Sequence, residues 1–164
     1  MKKLLLQIPY LEYETPGDLP DPERALLQSA KQALSLSYAP YSHFHVGAAA
    51  LLANGQTVPG ANYENASYPL CLCAERSAVA AAVSQYPNTP IVAMAITVDS
   101  NGPVADRPAT PCGACRQVLA ETERKNKQVI RLILQGQTGP VIVFSTSLDL
   151  LPLAFDGSFL KDIF

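Results

Sequence analysis

The stretch YPLCLCAERSAVA, residues 68–80, sets Cys73 and Glu75 two positions apart at the head of a run of small apolar residues. The run Ala74–Val83 reads as a helix of small side chains, closely packed and central rather than on the surface, ended by Pro87. Further along, Cys112 and Cys115 stand inside PCGACRQ (111–117), ahead of a helix expected over Gly113–Glu123. Thiols at the starts of two helices meet free backbone N–H groups and the positive end of the dipole, which stabilise thiolates.

Zinc that must react keeps three protein ligands and an open position, whereas a fourth protein ligand closes it. Cys73, Cys112 and Cys115 supply three. Cys-Ala-Glu followed by Pro-Cys-x-x-Cys resembles the zinc-deaminase arrangement, with Cys in place of the first His, which implies that Glu75 does not bind the metal. Two other arrangements use the same thiols. A closed four-thiol site would recruit Cys71, but leaves Glu75 unexplained beside an already dianionic complex. A Cys112–Cys115 dithiol switch explains neither Cys73 nor Glu75. Three thiolates oppose acidification of a bound water, so a nearby cation is expected. Arg76 and Arg116 each follow a ligand stretch, and each is open to a thiolate contact or to an ordinary surface role.

Outward from these motifs, YSHFHVGAAALLANGQTVPGANYENASY (41–68) reads as an antiparallel hairpin. Val46–Leu52 and Thr57–Tyr63 are its strands and Asn54-Gly55 its turn. Gly47 and the alanines after it leave room for a close neighbour. The hairpin ends carry Phe44 on one side, and Asn62 and Glu64 on the other, to one edge. Asn62 and Glu64 suit either a turn network around Asn65 or a pair holding a ligand's hydroxyls, and the residues alone leave both open. Before the hairpin, Asp21 caps a helix whose stripe is Leu26, Leu27, Ala30, Ala33 and Leu34, with Pro40 stopping it. Ile91–Val98, Ile130–Leu134 and Val141–Phe144 are further strands, and residues 103–111 form a loop with three prolines. The order predicts an α/β fold: a mixed five-stranded β-sheet with helices packed on its faces.

Residues 1–21 read as an N-terminal extension in which Leu4–Ile8 can add a strand, and 22–164 as one domain. The net charge of -2, with no basic tract beyond Lys2-Lys3, argues against a nucleic-acid surface. No apolar run is long enough to span a membrane. Nor does MKKLLLQIPYLEYE have the apolar length or cleavage site of a signal peptide, so a cytoplasmic protein with reduced thiols is expected. The tail Leu148–Phe164 is apolar and is expected to cover the body or a partner subunit. Together with the small-sided helix it suits a closed homo-oligomer as well as a monomer with a folded-back tail.

YSHFHVGAA (41–49), NYENASY (62–68), CAER (73–76), PCGACRQVL (111–119) and LLPLAF (150–155) together resemble the short, homotetrameric cytidine deaminases of nucleoside salvage, over roughly residues 22–155. The resemblance implies the cytidine-deaminase fold, zinc on Cys73, Cys112 and Cys115, and Glu75 as proton shuttle. It implies that Asn62 and Glu64 hold the ribose 3'-hydroxyl, that Phe44 packs on the pyrimidine, and that the Ala74 backbone meets the base edge. Arg76 matches an arginine bonded to ligand sulfurs. Phe155 matches an aromatic that reaches a neighbour's site, so the active sites of a homotetramer would be composite, with Tyr68 near the subunit junction. The implied substrate is a small nucleoside, with no nucleic acid and no membrane as partner. Residues 1–20, Cys71 and the tail after Phe155 depart from the family pattern.

Overall fold

A computed structural model describes residues 1–160; the last four residues of the expected apolar tail, 161–164, lie outside the described residues. The sheet is built from β1 (Leu11–Tyr13), β2 (Phe44–Leu52), β3 (Thr57–Ala61), β4 (Ile91–Ser100), β5 (Arg131–Gln135) and β6 (Val141–Phe144), in the order β1-β6-β5-β4-β2-β3. Among the described strands β4 and β5 run parallel; α3 (Gly113–Asn126) makes the crossover between them. The remaining neighbours, including the β2–β3 hairpin, are antiparallel.

The expected five strands therefore form, and a sixth joins from the extension. It is Leu11–Tyr13 and not Leu4–Ile8. Pro9 interrupts the earlier segment and cannot donate to a ladder, and Leu4, Leu5, Leu6 and Ile8 are exposed. Beyond Pro9, Leu11 pairs with Val143 and Tyr13 with Val141, while the Tyr10 ring tilts against Phe144 at 5.6 Å between centroids. A Thr15–Asp18 capping box then turns the chain so that Leu19 enters the core.

Helices cover both faces. α1 (Asp21–Ala33) lies on one, burying Leu26, Leu27 and Ala30 with Ala49, Ala93, Ala95, Ile133, Val141 and Val143. Its N-cap is Pro20; Asp21 is the first helical residue and accepts from Arg24 instead of capping. The helix tightens into a 3-10 turn at Leu34–Leu36, well short of Pro40. Gly47 explains its closeness to the sheet: a Cβ there would sit 2.1 Å from the Ala30 carbonyl oxygen. On the opposite face α2 (Ala74–Gln85) and α3 pack on Ala48, Ala50, Leu52, Met94, Ile96, Leu132 and Leu134. Each large buried side chain of this kind stabilises by about 1.5–3 kcal/mol. Gly60 lets β3 touch α2, since a Cβ would fall 2.4 Å from the Ala78 nitrogen. The small-sided helix is only half central. Ala74, Ala78, Val79 and Ala82 are buried, but Ala80 and Val83 are exposed on the other side.

Candidate active site

The two helix N-termini on the α2/α3 face deliver the thiols. Cys73 is the N-cap of α2 and Cys112 the N-cap of α3, both with extended backbone. Cys115 lies one turn into α3, fully buried. The Cys73 and Cys112 sulfurs are 3.8 Å apart, those of Cys112 and Cys115 3.5 Å, and all three lie within 4.8 Å of one another. Zinc–sulfur bonds of about 2.3 Å at tetrahedral angles place sulfurs about 3.8 Å apart, so this donor set fits a zinc ion with one position left over. Cys71 is not in the cluster. Its sulfur accepts from the Asn65 amide at 3.3 Å and donates to the Asn65 carbonyl at 3.7 Å.

Charge in the cluster is uneven. The neighbouring Cys115 thiol draws the Cys73 thiol down to about 5, with Arg76 assisting and burial opposing. Cys115 is pushed up by that same interaction and by burial. Arg76 Nη2 donates to the Cys71 carbonyl at 3.1 Å and lies 3.9 Å from the Cys73 sulfur. Arg116 takes neither the thiolate contact nor the ordinary surface role left open for it. Its Nε donates to the Pro111 carbonyl at 2.8 Å, Nη1 to the Leu150 carbonyl at 3.0 Å and Nη2 to Thr110 Oγ1 at 3.2 Å. It thus ties the loop leading into Cys112 to the C-terminal segment and touches no sulfur. That segment is held in turn by Glu123, a buried carboxylate that accepts from Ile130, Thr146 and Ser147. Neither clamp carries a local sequence signal, because the partners come from separate stretches of chain.

Glu75 is 5% exposed, and burial first, then the Cys73 charge, raise its carboxyl above the ordinary value. It lines a cavity of about 280 Å³ together with Cys73 and Cys112. Ile96, Val98, Val46 and Phe44 form the apolar walls, and Ala109 and Thr110 close one side. Asn62 and Glu64 line it as well. The Asn62 amide donates to the Phe44 carbonyl at 2.9 Å and accepts from the Val46 amide at 2.8 Å. Glu64 Oε2 accepts from the Tyr41 and Ser42 amides at 2.9 and 3.2 Å, and Oε1 from the Ser42 hydroxyl. The Ser42 hydroxyl, ahead of the two amides, holds this carboxyl below its usual range.

The expected residues therefore divide into three groups. Cys73, Cys112, Glu75, Phe44, Asn62 and Glu64 share one cavity, with Cys115 and Arg76 beside its sulfurs. Ala74 is fully buried and contributes no side chain to the wall. Phe155 is 58% exposed and lies away from the chain's own cavity; its carbonyl accepts from Gln117 and Arg124. Tyr68 is exposed, with its ring edge on Tyr41. Sequence reasoning missed Thr110 and Ala109, hidden in a loop read only as proline-rich, and Ser42, whose signal was its place beside Phe44 in YSHF.

Residues 20–131 match the cytidine and deoxycytidylate deaminase zinc-binding region. A cytidine deaminase of Halalkalibacterium halodurans is 42% identical over 137 residues, covering 84% of this chain and 96% of its own. One from Mycobacterium tuberculosis is 39% identical over 135 residues, covering 82% and 97%. Among solved structures, the cytidine deaminase of Burkholderia pseudomallei superposes with a TM-score of 0.70 at 41% identity, covering 80% of this chain and 97% of that one.

Proposed function

The chain belongs to the cytidine and deoxycytidylate deaminase family and has its zinc-binding enzyme fold, and from that premise we propose that it hydrolyses cytidine and 2'-deoxycytidine to uridine and 2'-deoxyuridine with release of ammonia. The observation that carries this reading is the buried Glu75 carboxylate opening on the same cavity as the cysteine cluster, with Asn62 and Glu64 among its other lining residues. A zinc ion on Cys73, Cys112 and Cys115 would supply Lewis-acid activation of a water molecule.

The chain's own residues do the rest. Glu75 accepts a proton from the attacking water, delivers it to pyrimidine N3, and carries a proton to the amino group as that group leaves C4. Its burial raises the carboxyl toward the range in which it both takes and gives a proton. Phe44 and the Val46, Ile96 and Val98 walls exclude water from around the ring. The Ala74 backbone at the start of α2 meets the base edge. Asn62 and Glu64 hold the sugar, and Arg76 offsets the charge of the thiolates. The four cysteines are free thiols, which suits a reducing cytoplasmic setting.

The assembly we propose is a homotetramer with shared sites. The exposed side of α2 at Ala80 and Val83, together with Tyr68, Leu70, Leu153 and Phe155, offers apolar surface for partner copies. Phe155, away from its own cavity, would close a neighbour's. Light scattering distinguishes a 17.6 kDa monomer from four copies. The activity is tested by ammonia release from cytidine, deoxycytidine, cytosine, adenosine, guanine, blasticidin S and a cytosine-containing DNA strand. Turnover concentrated on the two nucleosides is expected; equal efficiency on free cytosine contradicts the sugar assignment.

A further inference from the structure

We infer that His45 and Ser37, which line no part of the cavity, act as positioning residues that leave Asn62 a single hydrogen-bond donor for the sugar. The inference rests on the reading of Asn62 and Glu64 as the sugar-binding pair. An asparagine side chain has two acceptor lone pairs on Oδ1 and two N–H donors on Nδ2. A backbone N–H can only donate, so the atom 2.8 Å from the Val46 amide is Oδ1. A carbonyl can only accept, so the atom 2.9 Å from the Phe44 oxygen is Nδ2.

Ser37 Oγ lies 2.6 Å from that same Oδ1, and two oxygens so close need a proton between them. Because Oδ1 has none to give, the Ser37 hydroxyl donates. His45 Nδ1 lies 3.0 Å from Ser37 Oγ. The serine proton is already committed, so Nδ1–H donates to the serine oxygen, which fixes the ring's tautomer at that nitrogen. The bonds therefore run one way, from His45 through Ser37 to Asn62. Both lone pairs of Oδ1 are filled and one N–H of Nδ2 is used, which leaves one N–H.

The layout shows why these two residues take this role. Along β2, Val46 and Ala48 pack on the α2 side and Ala49 and Leu51 on the α1 side, so alternation puts His45 on the α1 side. Ser37 follows the 3-10 turn that ends α1. The relay thus reaches from the face opposite the metal cluster, across the end of the sheet, to the cavity. Glu64 completes the match. Its oxygens accept three hydrogen bonds from Tyr41 and Ser42, and a carboxylate has about four acceptor positions. One donor from Asn62 and one acceptor from Glu64 suit a hydroxyl, which gives one proton and takes one. They do not suit a phosphate, which brings acceptors and negative charge.

The test is the ratio of kcat/KM for cytidine to that for 3'-deoxycytidine, measured on the zinc-loaded enzyme. Loss of general stability lowers both terms and leaves the ratio alone. Ser37→Ala is expected to lower the ratio about 10-fold, as expected for one disordered hydrogen-bonding group. Ser37→Thr, which keeps the hydroxyl, is expected to restore it, and His45→Phe to shift it in the direction of Ser37→Ala. Asn62→Ala separates the two levels. If it collapses the ratio while Ser37→Ala and His45→Phe leave it at the native value, the positioning role is wrong and the sugar reading stands. If Asn62→Ala itself keeps the native ratio, the sugar reading fails and takes the positioning role with it.

Discussion

The cysteine cluster and the Asn62–Glu64 pair meet at one cavity but are built by opposite means. In the cluster, Cys73, Glu75, Cys112 and Cys115 come from the first turns of two helices, and Glu75 and Cys115 are buried. In the pair, Asn62 and Glu64 follow a strand end and are held by a mesh of bonds to Ser37, Tyr41, Ser42, Phe44 and Val46. A helix start fixes its residues by local geometry, so spacing along the chain is spacing in space. A mesh fixes them by partners far away in sequence, so the same precision requires tertiary structure. Changes in the cluster should therefore abolish activity whatever the substrate, and changes in the pair should alter which substrate is preferred.

The largest effect is expected from the ligands. Cys73→Ala, Cys112→Ala or Cys115→Ala should each lose bound zinc and deamination, or fold poorly, as metal binding and folding are coupled. Cys71→Ala should keep one zinc per chain, because its thiol bonds to Asn65 and not to the cluster. Metal analysis of the purified variants decides this, and an empty site in Cys71→Ala would return the four-thiol arrangement. Next in size is Glu64→Ala, expected to reduce kcat/KM for cytidine by about 10- to 100-fold through KM, with a much smaller change on free cytosine. A fall in kcat alone, equal on both substrates, would erase the contrast between cluster and pair.

Arg116→Ala is expected to have a smaller effect, roughly 10-fold on activity, by freeing Pro111 and Thr110 beside Cys112. Zinc affinity in a chelator competition should weaken with it; unchanged affinity and turnover would show that the clamp does not reach the ligand. The smallest effect is a pH dependence at Glu64. Its folded pKa is lowered, chiefly by the Ser42 hydroxyl, so the unfolded chain binds the proton more tightly. The stabilisation is present above the ordinary carboxylate value and is lost as pH falls through the folded one. The Tm difference between the native chain and Glu64→Gln should shrink between pH 6 and pH 3, and a difference that grows toward acid would reverse the sign argued here.

The same contrast explains what was legible in the sequence. Hydrophobic period and turn residues gave the five main strands and three helices, because each is a short-range pattern. Helix starts are local and place Cys112 and Cys115 together, whereas the Cys73–Cys112 contact spans 39 residues and was legible only through the paired motifs. β1 was misplaced to Leu4–Ile8: the apolar run there is stronger, but Pro9 and the register with Val141 and Val143 favour Leu11–Tyr13. The arginines look alike after their motifs, yet Arg76 approaches a sulfur and Arg116 binds two carbonyls and a hydroxyl. Only the folded position of Leu150 separates them. Ser37 and His45 lie in no metal or sugar motif, and their relay exists because the end of α1 returns to the hairpin.

The central claim is that Glu75 moves protons beside a metal it does not bind. Glu75→Gln keeps the shape of the side chain and removes its proton-carrying capacity. Zinc content and steady-state cytidine deamination should be measured on the same preparation. Zinc near one per chain with a rate at least ~100-fold below native is the predicted result, and near-native turnover with zinc in place would contradict it.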